Sequence, residues 1–140
     1  MKKLNAEHYP DHTAWDAIAR VEREIKPCGY RPVIYICSPY AGNREANVKK
    51  AREYCRFAVR RRYIPVAPHL LFPQFLRDEI LAERRLAIFM DLVLLAKCQE
   101  VWVFGSKITE GMAIEIAKAK YKRIRIRYFT DNFEEVEKDD

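Results

Sequence analysis

The sequence predicts an α/β fold: an open, mostly parallel, doubly wound sheet of Rossmann-like or flavodoxin-like class, with an N-terminal helical extension. Three observations predict it. Short runs rich in β-branched and aromatic residues recur at 33–38, 63–68, 100–105 and 123–129. Between them lie three longer stretches whose apolar residues recur at helical spacing. Strand–helix alternation of this kind gives parallel strands joined by right-handed crossovers.

The elements follow in order. Residues 12–26, HTAWDAIARVEREIK, read as an amphipathic helix, with Trp15, Ile18, Val21 and Ile25 on one stripe and Pro27 and Gly29 ending it. It is expected to pack on the domain or on a neighbouring subunit. VIYICS (33–38) is nearly continuous in apolar residues, as a strand buried on both faces should be. SPYAGN is a loop in which Asn43 suits a helix N-cap. A long helix follows, with Ala51, Tyr54, Cys55, Ala58 and Val59 on one side. YIPVAP (63–68) is a second strand bounded by prolines, and HLLFPQFL an apolar connection. Asp78 to Lys97 is a second long helix, EVWVFG (100–105) a third strand, and TEGMAIEIAKAKY a third helix. RIRIRYF (123–129) is a last strand. Its alternation of Arg and Ile predicts one wet face and a place toward a sheet edge. The boundaries give an N-terminal helical extension over 1–31, the α/β domain over 32–130 and an acidic tail over 131–140.

The 140 residues suit one domain. A chain of this length buries roughly 70% of the surface its unfolded form exposes, so it needs no staples. With 49% apolar and 33% charged residues it has a soluble globular balance. No apolar run approaches the ~18 residues of a membrane helix, and no membrane partner is expected. MKKLNAEHYP has lysines but no apolar segment behind them, so no secretory signal is expected. Cys28, Cys37, Cys55 and Cys98 are far apart, without a C-x-x-C pair or a Cys/His ladder. That pattern predicts buried free thiols, no metal, and a cytoplasmic, reducing setting.

Charge is unevenly spread. The net charge is +6, yet the last ten residues hold six acids and one lysine, so residues 1–130 carry 25 bases against 14 acids, or +11. Such a body attracts anions: nucleotides, or nucleic acid weakly. No nucleic-acid motif is present, and a nucleic-acid partner is not expected.

In open α/β sheets ligands bind beyond the carboxyl ends of the strands. The loops SPYAGN and SKITEG fall there. Glu115 lies about one and a half turns into its helix, with Gly111 and Ala119 as its i−4 and i+4 neighbours. It is either a carboxylate open to a ligand or an exposed glutamate of an amphipathic helix. Asp91 lies among apolar residues in LAIFMDLVLL, with Ala87 and Leu95 at i−4 and i+4. It must reach a partner or a cavity, unless it sits on the solvent stripe. Ser38, Tyr40, Gly42 and Asn43 offer hydroxyls and backbone N–H groups for phosphate or ribose. His69 could line a pocket or be structural, and Ser38 with His69 has no recognisable third member of a triad. Tyr35 reads as a core tyrosine of the first strand.

The strand running into SPYAGN, then PVAPHLLFPQFL, MDLVLLAKCQEVWVFG and TEGMAIEIAKA, resembles the nucleoside 2-deoxyribosyltransferase-like superfamily, and within it small bacterial and phage domains of the DUF4406-like group. The likeness runs from about Val33 to Phe129. It implies a nucleophilic Glu in the G-x-x-x-E position, here Glu115, attacking the anomeric carbon of a deoxyribosyl group. It also implies that Asp91 orients the sugar or manages a proton, and that Tyr35 holds the nucleophile. Pro39, Gly111 and Met112 join Ser38, Tyr40, Gly42, Asn43, His69 and Thr109 as substrate-binding residues. The transferases of the superfamily carry an acid where this chain has Thr109, and another at the opening of the third strand, where it has Gln99. Related deoxynucleotide N-glycosidases have a hydroxyl at the first of these positions.

The resemblance therefore implies an N-glycosidase or pentosyltransferase acting on a small nucleoside or nucleotide, without a cofactor, as a homo-oligomer (a dimer or higher) that completes the pocket from a second subunit. The alternative is a non-catalytic nucleotide-binding sensor that keeps the pocket and drops the reaction.

Overall fold

The computed structural model describes residues 12–25 and 29–138. Helix α1 (His12–Ile25) belongs to a first unit ending at Tyr30, and the rest of the chain forms a second. On α1, Trp15, Ile18, Val21 and Ile25 share one stripe and are each about half-exposed. Pro27, expected to end this helix, lies outside the described residues.

The second unit contains β1 (Val33–Cys37), α2 (Arg44–Arg60), β2 (Ile64–Val66), two 3₁₀ turns at Pro68–Leu70 and Phe72–Gln74, α3 (Leu81–Ala96), β3 (Glu100–Phe104), α4 (Glu110–Tyr121), β4 (Arg125–Phe129) and β5 (Glu135–Val136). The sheet order is β2-β1-β3-β4-β5, parallel throughout except for β5. This is the α/β doubly wound sheet that the alternation of strands and helices predicts. From β1 the chain passes to β2 on one side, then crosses to β3 on the other. The loops leaving β1 and β3 therefore diverge, and a crevice opens between them.

Period-two alternation sends the strand side chains into two cores. Tyr35, Cys37, Val101 and Val103 pack beneath α3 and α4 with Leu95, Met112 and Ala119. Ile34, Ile36, Trp102, Phe104 and Phe129 face Tyr54 and Ala58 of α2. Phe57, stacked on Phe133 at 5.1 Å and edge-on to Phe104, helps close this second face. Asn43 caps α2 as expected: its side chain accepts the N–H of Ala46 at 3.2 Å. Cys37 and Cys98 are buried free thiols and Cys55 is half-buried.

Three local expectations are corrected. Helix α3 starts at Leu81 rather than Asp78, because Asp78 is engaged by Arg44 at 2.9 Å and Glu83 folds back to accept the N–H of Arg77 at 3.0 Å. Residues 131–138 are not a tail throughout, since Glu135 and Val136 pair antiparallel with β4 and make the sheet edge. The polar face of β4 is not wholly wet either. Arg127 keeps only 11% of its side chain exposed, because its guanidinium lies over Trp102 at 5.0 Å and pairs with Glu100 and Glu135. One wide arginine thus covers an aromatic core while its charge is met on two sides.

Candidate active site

The principal cavity, about 460 Å³, opens at the carboxyl end of the sheet. Ser38 and Tyr40 enter it from the end of β1, and His69 from the turn after β2. Ala87, Ile88 and Asp91 of α3 form a second wall. Thr109, Gly111, Met112 and Glu115 bring the start of α4 to it. A Cβ built on Gly111 would meet nothing nearer than Thr109 Oγ1 at 4.0 Å, so the space one turn before Glu115 is open.

Glu115 is held from below by alternate residues of β1. The Tyr35 hydroxyl donates to its Oε2. The Cys37 thiol lies 3.5 Å from Oε1 and 3.9 Å from the Met112 carbonyl oxygen. Tyr35 and Cys37 are both fully buried. They share a face because β-strand side chains repeat every second residue. Burial raises the Glu115 carboxyl to about 7, with a further push from Asp91; the hydrogen bonds from Tyr35 and Cys37 act against this. Burial, followed by the charge of Glu115, holds the Tyr35 hydroxyl and the Cys37 thiol protonated, so both remain donors.

Asp91 supplies the second carboxyl. Its Oδ1 is buried without a hydrogen-bond partner among the described residues, and burial raises the group to about 7. An unpartnered buried oxygen is costly and suits a group that meets its partner on a ligand. Across the cavity, Ser38 Oγ and His69 Nε2 are 3.0 Å apart, with the Tyr40 ring edge-on to the imidazole at 6.5 Å. Burial lowers His69 to about 4, so at neutral pH it is an uncharged donor and acceptor. It has no carboxylate partner among the described residues. The structure brings Ser38 and His69 together, but not as part of a triad.

The predicted substrate-binding residues divide. Ser38, Tyr40, His69, Thr109, Gly111 and Met112 line the principal cavity, with Tyr35 behind Glu115. Pro39, Gly42 and Asn43 face a smaller cavity of about 270 Å³, which meets the first at Ala41 and Thr109. Gly42, at φ 96°, turns the loop away, and the Asn43 side chain is committed to capping α2. Thr109 caps α4, accepting the N–H of Met112 at 3.2 Å, and keeps a hydroxyl hydrogen to donate. Gln99 is at the far end of the sheet, where its side chain accepts the N–H of Val33 at 3.0 Å. Gln99 does not line the cavity.

The rim was not legible in the sequence. Arg44 of α2 meets Asp78 at 2.9 Å, and Arg84 of α3 reaches the same carboxylate at 4.0 Å. These pairs clip the segment before α3 to the start of α2. Charged residues are common in both stretches, and no spacing rule links positions so far apart.

Residues 32–129 match the family model described as "Domain of unknown function (DUF7768)", where the motifs resemble the DUF4406-like group. No curated protein matches the chain. Among solved structures, a 2-deoxyribosyltransferase from the psychrotolerant bacterium Bacillus psychrosaccharolyticus is similar, with a TM-score of 0.54 and 17% identity, over 70% of this chain and 72% of that one. At that identity the likeness establishes a shared α/β fold. No helix among the described residues is long and apolar enough to cross a membrane.

Proposed function

The chain belongs to the DUF7768 family, and we propose that it cleaves the N-glycosidic bond of a nucleoside or nucleotide through Glu115. The observation that carries this reading is the placement of two half-buried carboxyls in one cavity. Glu115 is fixed by Tyr35, while Asp91 keeps an unpartnered oxygen. The family model covers nearly all of the region proposed as the catalytic domain, 32–130, with 1–31 as an accessory extension.

In this reading an ionised Glu115 oxygen attacks the anomeric carbon. The C–N bond breaks, its electron pair leaves with the base, and a protonated Asp91 supplies a proton to the base. Water or a second base then attacks the same carbon, Asp91 takes back a proton, and the Glu115–sugar ester bond breaks. Two carboxyls with similar affinities for a proton suit this division, because near pH 7 one of each can be ionised and the other protonated. Neutral His69 and Ser38 offer hydrogen bonds to sugar or base without adding charge. A cytoplasmic homo-oligomer without a cofactor belongs to the same reading.

The test is chromatography of 2′-deoxynucleosides and their 5′-monophosphates after incubation with the protein. Free base should appear, and Glu115→Gln should abolish it. A panel with no base released would overturn the reading. Ligand-induced thermal stabilisation without turnover, unchanged in Glu115→Gln, would favour a sensor.

A further inference from the structure

The sheet has a second pole. Helices α2, α3 and α4 each return to the start of the next parallel strand, so their C-termini gather at the amino ends of the strands, opposite the cavities. Cations gather there as well. Helix α2 runs into Arg60, Arg61 and Arg62, and α3 is followed by Lys97. Helix α4 ends among Lys118, Lys120, Lys122 and Arg123, and Arg125 opens β4. The acid in these same segments, Glu100, is already shared by Arg125 at 3.6 Å and Arg127 at 3.5 Å.

Cations at helix C-termini complement the macrodipole, so charge alone decides little. Backbone conformation adds a separate signal. Arg62 has φ 69° and Arg123 has φ 57°, in the left-handed region where glycine sits without strain and most side chains do not. Each follows a helix end that already has cations in or beside its last turn, so the dipole does not require it. Tyr121, flanked in sequence by Lys120 and Lys122, is 80% accessible, with the Lys118 ammonium 5.8 Å from its ring centroid.

We propose that this pole binds single-stranded nucleic acid. Guanidinium groups of Arg62 and Arg123 hold phosphates, and Tyr121 stacks on a base. A bilayer surface presents phosphates too, but it favours an apolar stripe that can insert, and the exposed apolar side chains here, Val59 on α2, Ile64 on β2 and Tyr121 on α4, belong to three elements and make no such stripe. No local motif announces the surface, because it exists only where the topology brings helix ends together. It lies apart from Glu115, so its test needs no turnover.

Fluorescein-labelled oligothymidylate, titrated with the full chain at several salt concentrations and followed by anisotropy, should bind with a steep salt dependence. Arg62→Gly combined with Arg123→Gly should weaken binding about tenfold and flatten the log–log salt slope by about 1.4. The same double variant should melt at or above the wild-type temperature, since it relieves left-handed strain. Weak binding therefore could not be ascribed to unfolding. Tyr121→Ala should weaken binding and leave the salt slope unchanged. No binding at low salt would overturn the proposal. So would wild-type affinity in the double variant, or tighter binding to phosphatidylserine vesicles than to the oligonucleotide.

Discussion

The Tyr35 hydroxyl donates to Oε2 of Glu115, joining the interior strand β1 to the helix above it. The bond favours the ionised carboxylate against the burial that favours its acid form. Tyr35→Phe should therefore move Glu115 further up from about 7. At pH 7 less of the proposed nucleophile would be ionised, and the loss of a bond worth about 1–2 kcal/mol should lower kcat/KM roughly tenfold. The deficit should shrink as pH rises. An equal deficit at pH 6 and pH 9 would mean that Tyr35 acts only through packing.

Activity should follow a narrow bell centred near pH 7, because the proposed chemistry needs one carboxyl ionised and the other protonated. The two limbs belong to the pair, since Asp91 contributes to the shift of Glu115. Asp91→Asn should remove the alkaline limb, lower kcat strongly for poor leaving bases and spare an activated base such as nitrophenyl-substituted triazole. Initial rates across pH for two substrates of different leaving-group ability check this. Equal losses on both would remove Asp91 from proton transfer to the base.

Stability should carry the same carboxyls with a sign opposite to that of an ordinary ion pair. Asp91 rises from 3.8 unfolded to about 7 folded, so between those pH values the native state binds more protons. Its stabilising protonation is complete below pH 4 and lost as pH rises through 7. Asp91→Asn should match the wild type at pH 4 and exceed it at pH 8 by about 2 kcal/mol, about half of what the shift implies, because the side chain is only partly buried. His69 works the other way. Its value falls from 6.5 to about 4, so stability is lost as pH drops through that window, and His69→Gln should flatten the acid side. Urea midpoints at acidic, neutral and alkaline pH would show both slopes.

Much of this arrangement was legible in the sequence, for particular reasons. VIYIC and VWVF are short, continuous apolar runs rich in β-branched and aromatic residues, as strands buried on both faces are. The isolation of Asp91 among apolar residues left a cavity and the solvent stripe both open, and the residue lines a cavity with its Oδ1 buried. What stayed hidden is set by tertiary geometry. Nothing local says that the loop after β1 splits, with Ser38 and Tyr40 on one cavity and Gly42 and Asn43 on another. The wet face expected of β4 failed for a similar reason: Arg127 finds Glu135 only once the last residues return as β5. The contact of Tyr35 with Glu115 was to be expected through family likeness alone, since a tyrosine in an apolar strand is ordinarily core.

Gly111 separates the needs of the fold from those of the cavity. It lies in the first turn of α4, where its conformation needs no glycine and a Cβ would meet only Thr109 Oγ1 at 4.0 Å. Alanine is the better helix former by roughly 0.5–1 kcal/mol, so Gly111→Ala should raise the melting temperature by a few degrees. The added methyl would occupy the cavity one turn before Glu115, where the substrate sugar is proposed to lie. KM should rise several-fold with kcat less affected, and Gly111→Val should deepen the effect. A more stable protein with impaired substrate binding would mean that glycine is kept for room in front of the carboxylate. A more stable protein with unchanged kinetics would move the sugar away from α4 and weaken Glu115 as the nucleophile.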